Sequence, residues 1–210
     1  MADLDVTVEG ISEGQRIPEE FAFGIRTDDE PFTFGPNVSP AISWNAGPDG
    51  TKSYAIIMHD RSVPTVFDDA NQEGRTIPAD LARMDFMHWI LLDIPVTTTS
   101  LPKGAESDGV VPKGKDTGPS EHGIRGANDF GMFMADNPDM AGDYGGYDGP
   151  APPWNDELMH EYVFTVFALD VESLGLDGVF SGQDARSAME GHVLAQGSVM
   201  GTYTLNPALG

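Results

Sequence analysis

Cysteine is missing from this chain altogether, which rules out a disulfide framework and any thiol chemistry. Lysine is nearly missing too: only Lys52, Lys103, Lys113 and Lys115 occur. All basic residues number 11 against 34 acidic ones, for a formal charge of −23. Such a field repels duplex DNA and anionic membrane surfaces, so neither is an expected partner. No stretch approaches the roughly 18 consecutive apolar residues of a membrane span. The opening Met1-Ala2-Asp3-Leu4-Asp5 has neither the basic region nor the apolar core of a secretion signal. A cytoplasmic protein without membrane insertion is therefore expected. Equally absent are a G-x-x-x-x-G-K-[ST] phosphate loop, a dinucleotide fingerprint and a G-x-S-x-G nucleophile elbow, so no cofactor is expected and acyl-enzyme chemistry finds no support.

What is present is acid, spread through the chain and often as Asp in turns. It reads either as the ordinary charge of a dispersed soluble protein or as adaptation to high salt, where screening cancels self-repulsion. A length of 210 residues suits one domain with a proper core. With no repeat and no linker in sight, a single domain over 1–210 is expected.

The chain is organised around the stretch from Gly149 to Asp170. Gly149-Pro150-Ala151-Pro152-Pro153 is held extended, because each proline ring fixes φ and removes a donor. After the polar turn Trp154-Asn155-Asp156-Glu157 comes His160-Glu161-Tyr162, then Val163 to Leu169, apolar on both faces and rich in β-branched and aromatic residues. That composition predicts a buried strand. A stiff backbone wall beside a histidine at the mouth of a core strand is a place to hold a small polar ligand.

Elsewhere, Asp3 to Val8 alternates as a strand with one wet face. Ile17 to Phe23 reads as a strand interrupted by proline, and Ala41 to Trp44 as a short strand within the connection from Thr27 to Pro48. Lys52 to Met58 is a core strand that delivers His59-Asp60. Arg61 to Arg83 reads as loop with one helical turn near Pro78 to Arg83. Phe86 to Ile94 is a second buried strand, carrying His88 and closed by Pro95. Thr97 to Tyr147 lacks periodicity and is long for a structureless connection, which suggests a functional loop or lid. A helix is predicted from Asp184 to about Gln196, capped by Ser181 or Asp184 and ended by Gly197, followed by a last strand from Val199 to Leu205. The sum is a mainly β fold, a two-sheet β-sandwich with long loops and one or two peripheral helices.

Asp60, His88 and His160 stand at ends or edges of these core strands, whereas His59, His122 and His192 are read as structural. Together the three admit an anion pocket, a two-histidine one-carboxylate metal site, or a His–Asp acid–base pair. The metal reading has no other support, and its ligands usually lie closer in sequence.

At these residues the sequence resembles the phosphatidylethanolamine-binding proteins, and within them the prokaryotic Raf-kinase-inhibitor-like branch. Asn37-Val38-Ser39-Pro40-Ala41-Ile42-Ser43-Trp44 looks like N-x-S-P-x-L-x-W, and His59-Asp60-Arg61-Ser62-Val63-Pro64 sits where the family has D-P-D-A-P. His88-Trp89 through Ile94-Pro95 looks like H-W-x-x-x-x-I-P. Gly149-Pro150-Ala151-Pro152-Pro153 followed by His160-Glu161-Tyr162 looks like G-P-x-P-P and H-R-Y. The likeness runs from about Phe21 to Tyr203. It implies a β-sandwich with a small anion pocket formed by Asp60, His88, Gly149, Pro150, His160 and Tyr162, with Phe86 at its rim, and a homodimer as in many prokaryotic relatives.

Two departures stand out. Arg61 and Ser62 replace the first Pro and second Asp of D-P-D-A-P, and Glu161 replaces the Arg of H-R-Y. Glu161 alternates away from His160 and is expected to face outward; Arg61 either strengthens the pocket or is a solvated surface residue.

The function expected is binding of a small anion, a phosphate or phosphomonoester head group, tightening as pH falls through the histidine range. The rival readings are an enzyme using the same pocket for acid–base hydrolysis or isomerisation, and a regulatory protein-interaction inhibitor.

Overall fold

Four strands rich in β-branched and aromatic residues build the centre of the protein, and the computed structural model describes residues 2–210 around them. Ser53–Pro64, Arg83–Pro95, His160–Leu169 and Val193–Tyr203 lie in one seven-stranded sheet. Its order is Ala2–Asp3, Val193–Tyr203, His160–Leu169, Ser53–Pro64, Arg83–Pro95, Ile124–Arg125, Gly118–Pro119. The four long strands pair antiparallel, and the edge strand Ala2–Asp3 pairs parallel.

The strands read apolar on both sides because both faces of this sheet are covered. On one face a three-stranded sheet of Val6–Val8, Ile42–Trp44 and Ser100–Leu101 closes a core with Ile56, Met58, Trp89, Phe164 and Val166. On the other, the helix Gly182–Met189 sets Ala185 and Met189 against Ala55, Ile57, Ile90 and Phe180. Burying each large apolar side chain contributes about 1.5–3 kcal/mol, and these two layers hold the sandwich together. A third cluster, with Phe23, Val63, Phe86, Phe130 and Tyr144, fills the end of the sandwich behind the mouth of the 160–169 strand.

Several local expectations are corrected. The helix ends at Met189, and Val193–Tyr203 is already strand. Its stop is the Glu190-Gly191 turn, with Gly191 at φ +83°, where glycine alone is unstrained. Gly197 lies instead within the strand, where the Leu4 carbonyl passes so close that a Cβ would meet it at 2.0 Å. Ser181 is the cap, in a reciprocal box with Asp184. Ile17 to Phe23 is no strand: after Pro18 the chain makes a 3-10 turn, Glu19–Phe21. Asp3 to Val8 is split between the two sheets. The 53–64 strand continues through Arg61 to Pro64 and its partner begins at Arg83, so only the middle of that connection is loop, and Pro78 to Leu81 is a turn rather than a helical turn.

The segment from Thr97 to Tyr147 is irregular, as expected, yet pinned. Ile124–Arg125 adds to the 83–95 strand, and the buried Glu106 carboxylate accepts from Arg125 Nε (2.8 Å) and His122 Nδ1 (3.2 Å). Lys115 Nζ donates to the buried Asp148 carboxylate (2.6 Å). Asn37, in the left-handed region at φ +50°, donates to the same carboxylate and accepts from the Gly149 N–H. The Asn37 to Trp44 motif thus braces the proline wall.

With a charge of −23 on this fold, self-repulsion opposes compaction. Raising NaCl from about 0.1 to 1 M, which shortens the screening length from about 10 to 3 Å, is expected to raise the thermal midpoint. A midpoint that stays flat or falls in calorimetry would contradict this.

Candidate functional site

Register brings the site together. Tyr162 pairs with Asp60 and Asp60 with Phe86, so the three form one row across neighbouring strands. His160 and His88 lie two residues along from Tyr162 and Phe86. The ladder between the 53–64 and 83–95 strands is irregular on either side of Asp60: His88 has no partner opposite it, and Arg61-Ser62 are passed over between Asp60 and Val63. Such bulges re-aim side chains and recur beside functional sites. Together they close a pocket lined by Asp60, Phe86, His88, His160 and Tyr162, with Pro152 and Pro153 of the wall. Phe130 and Phe133, on the short helix Phe130–Phe133 of the long segment, and Phe67 from the 65–82 connection complete it.

Gly149 and Pro150 stand one layer back. The Gly149 N–H is bound by Asn37, its Cα packs against the Phe21 carbonyl, and the Pro150 carbonyl accepts from Gly24 N. The next residue, Ala151, lines the pocket, and its N–H lies close to the Tyr162 hydroxyl oxygen.

His160 is fully buried, and both ring nitrogens face carboxylates: Nδ1 lies 2.6 Å from Asp60 Oδ2 and Nε2 3.1 Å from Asp156 Oδ2. A neutral ring would turn a lone pair against one of those oxygens, so the ring is an imidazolium donating to both. Burial on its own lowers the pKa; the Asp60 charge and the two hydrogen bonds outweigh it and raise the value to about 9. Asp156 also takes a two-pronged contact from Arg83 (2.6 and 3.1 Å). Burial pushes the Asp156 carboxyl up, yet the His160 and Arg83 hydrogen bonds outweigh it and hold it below its usual range. Asp60 accepts in addition from the Ser62 N–H (2.8 Å). The chain Asp60–His160–Asp156–Arg83 is thus charge-balanced, with Asp60, His160 and Asp156 buried and Arg83 partly so.

His88 is the opposite case. Its Nδ1–H donates to the Asp148 carbonyl (2.7 Å), with Gly149 a second backbone neighbour; in the neutral ring this leaves Nε2 without a proton, on a residue that lines the pocket. Burial lowers its pKa to about 4, against the pull of Asp60. The Tyr162 hydroxyl is sealed from solvent and makes no well-formed hydrogen bond, although Asp60 and the Ala151 N–H lie close. Burial, reinforced by the Asp60 charge, pushes the phenol well above its usual value, so it stays a donor.

This corrects the expected electrostatics. Neither imidazole titrates between pH 5 and 8, and neither offers an N–H to a ligand. The donors without a well-formed hydrogen bond are the Tyr162 O–H, which lies near Asp60, and the Ala151 N–H, which lies near the phenol oxygen. His160 has no lone pair for a metal and no free position for shuttling a proton.

Arg61 and Glu161, the two departures from the family pattern, turn out to be each other's partners: Arg61 Nε donates to Glu161 Oε2 (2.5 Å) across the strands, on the outer face. The outward expectation for Glu161 holds, and Arg61 stays out of the pocket. His59, His122 and His192 each lie beside a carboxylate outside the site.

Sequence reasoning missed Asp156, Arg83, Asp148 and Phe130. Asp156 stands four residues before His160 and Asp148 directly before Gly149. That adjacency was the available signal, obscured because acids in turns are everywhere in this chain.

The model of the phosphatidylethanolamine-binding protein family matches residues 7–204, and the chain belongs to that family. It is 32% identical over 211 residues to a UPF0098 protein of Aquifex aeolicus, covering 97% of this chain and 98% of that one. To a UPF0098 protein of Methanothermobacter thermautotrophicus it is 30% identical over 169 residues, covering 80% and 84%. The crystal structure of Escherichia coli YbcL, described as a new member of the mammalian PEBP family, superposes with a TM-score of 0.68 at 26% identity, covering 97% of this chain and 99% of that one. Its mainly β architecture is shared. Among the described residues no helix is long and apolar enough to cross a membrane.

His160 yields a signed prediction. Its pKa in the folded protein lies above the unfolded value of 6.5, so its contribution to stability is complete below about 6.5 and lost as pH rises through about 9. The stability difference between wild type and His160→Gln in urea unfolding is expected to be largest at pH 6 and to shrink steadily towards pH 10. A constant difference would contradict the buried imidazolium.

Proposed function

We propose that this protein is a binding module whose pocket takes the small anionic head group of a ligand, of the phosphate or phosphomonoester class. The observation that carries the reading is a pair of imperfectly paired donors. A buried phenol and a backbone N–H, on rigid strand and proline-wall backbone, lie close to Asp60 and to each other without a well-formed hydrogen bond, and gain a better partner when an oxyanion arrives. The aromatic surround of Phe67, Phe86, Phe130 and Phe133 suits an apolar substituent on that head group and excludes water around it.

The pocket is tight. Its free volume of about 30 Å³ has room for about two water molecules. Phe67 and Phe133, from two different connections, meet edge to face at 6.2 Å, and Phe133 is 42% exposed. Entry of a head group then requires that pair to part, which an exposed ring at the end of a four-residue helix permits. In the enzymatic alternative the base would be His88 Nε2, since His160 is committed to two carboxylates.

Titration calorimetry with inorganic phosphate and phenyl phosphate tests the reading. One site per chain is expected, and Tyr162→Phe is expected to weaken binding by about 10- to 100-fold, the loss of a hydrogen bond to a charged acceptor. Phe133→Ala is expected to speed association with little change in the pH behaviour. No binding to the wild type at millimolar ligand, or an unchanged affinity in a folded Tyr162→Phe protein, would contradict the proposal.

A further inference from the structure

We propose that the pocket selects an oxyanion that still carries a proton, a singly protonated phosphomonoester, over the fully ionised dianion and over sulfate esters that have no proton to give. This rests on the reading of the pocket as an anion site and specifies which form of anion it takes. The selection follows from what each packed element presents to the pocket.

The 53–64 strand presents Asp60, with the Arg61 side chain turned to the outer face and Ser62 Oγ accepting from the Glu161 N–H. The 83–95 strand presents His88 through an acceptor nitrogen, while Arg83 reaches only Asp156, the Ser62 carbonyl and the Pro78 carbonyl. Also on that strand, Asp85 faces Arg186 and His59, outside the pocket. The 160–169 strand presents the Tyr162 hydroxyl and a His160 whose two N–H groups are committed, with Asp156 behind it. From the proline wall comes the Ala151 N–H. Asp148, next to that wall, is turned away towards Asn37, Lys115 and Asn128. The short helix presents phenyl rings, and Asp129 at its start accepts from the Met87 N–H.

The charges at and behind the pocket therefore cancel, Asp60 and Asp156 against His160 and Arg83. No cation is left over to balance a ligand dianion. Two donors, Tyr162 and Ala151, lie beside two acceptors, Asp60 and His88 Nε2, with the phenol close to Asp60 and the Ala151 N–H close to the phenol oxygen. A fully ionised oxyanion satisfies the donors but turns a lone pair on the acceptors, and a charge is repelled by Asp60. A singly protonated phosphomonoester satisfies both sides: its ionised oxygens accept from Tyr162 and Ala151, and its P–OH donates to Asp60 or His88. Its net charge is also one unit lower, which matters beside a neutral cluster.

Phosphomonoesters lose that proton with a pKa of about 6. If only the protonated form binds, affinity for total ligand is level below about pH 6 and falls tenfold per unit above it. His160 near 9 and His88 near 4 contribute nothing within that window. The pH dependence thus originates in the ligand, not in the protein.

Calorimetry with phenyl phosphate and phenyl sulfate at pH 5, 6, 7 and 8 and constant ionic strength tests this, together with ³¹P NMR of the bound phosphate. The expected result is a loss of about 100-fold for phenyl phosphate between pH 6 and 8, phenyl sulfate weak throughout, and a bound ³¹P shift that stays at the monoanion position at pH 7.5. Equal binding of the sulfate ester, a level pH profile, or a dianion shift for the bound phosphate would overturn the proposal while leaving an anion site in place. Binding of neither ester would overturn the anion reading and this inference with it.

Discussion

A positive charge with no solvent around it governs this site. The His160 ring is buried between Asp60 and Asp156, and a lone ion there would cost several kcal/mol to desolvate. It persists because each N–H meets a carboxylate and because Arg83 completes the balance at Asp156. Two consequences follow for the pocket. The Asp60 carboxylate is held in one orientation, with one oxygen on His160 and the other on the Ser62 N–H. And the four charges of this cluster cancel, so that the proposed recognition rests on matching donors and acceptors rather than on attraction of charge.

The second constraint reaches the pocket from behind. Asp148 is a buried carboxylate whose oxygens are taken by Asn37, Lys115 and Asn128, and whose own carbonyl holds His88 Nδ1. Burial pushes its carboxyl up, against the opposing pull of Lys115. One residue thereby ties together the Asn37 turn, the long 97–147 segment and the histidine whose tautomer decides what the pocket presents. The same segment brings Phe130 and Phe133 to the mouth. Its backbone is mostly irregular, and ion pairs fix it together with short ladder pairings such as that of Ile124–Arg125 with the 83–95 strand.

Much of this is legible in the residues. The long central strands can be read because both of their faces are buried and they carry unbroken apolar runs. Asp60, His88 and His160 stand out because each lies at the end or edge of such a run, and Tyr162 is added by the family resemblance alone. The helix end is misleading because Gly197 looks like a stop, whereas a close approach to the Leu4 carbonyl requires glycine there in a strand. Arg61 and Glu161 look like two separate departures from the family pattern, and only the pairing of their strands shows them to be one compensated exchange. Protonation is beyond reach from sequence. Whether a histidine is an imidazolium or a neutral acceptor depends on Asp156 and on the Asp148 carbonyl, partners in turns where acids carry no distinguishing signal in so acidic a chain. The proposed anion reading therefore rests on a different donor set from the one expected.

The buried imidazolium is the claim on which the rest depends, and ¹⁵N NMR of histidine-labelled protein addresses it directly. Two protonated ring nitrogens are predicted for His160 from pH 5 to 8, beside a His88 with one protonated and one bare nitrogen over the same range. A His160 that shows one bare nitrogen at pH 7, or that titrates near 6.5, would contradict the account.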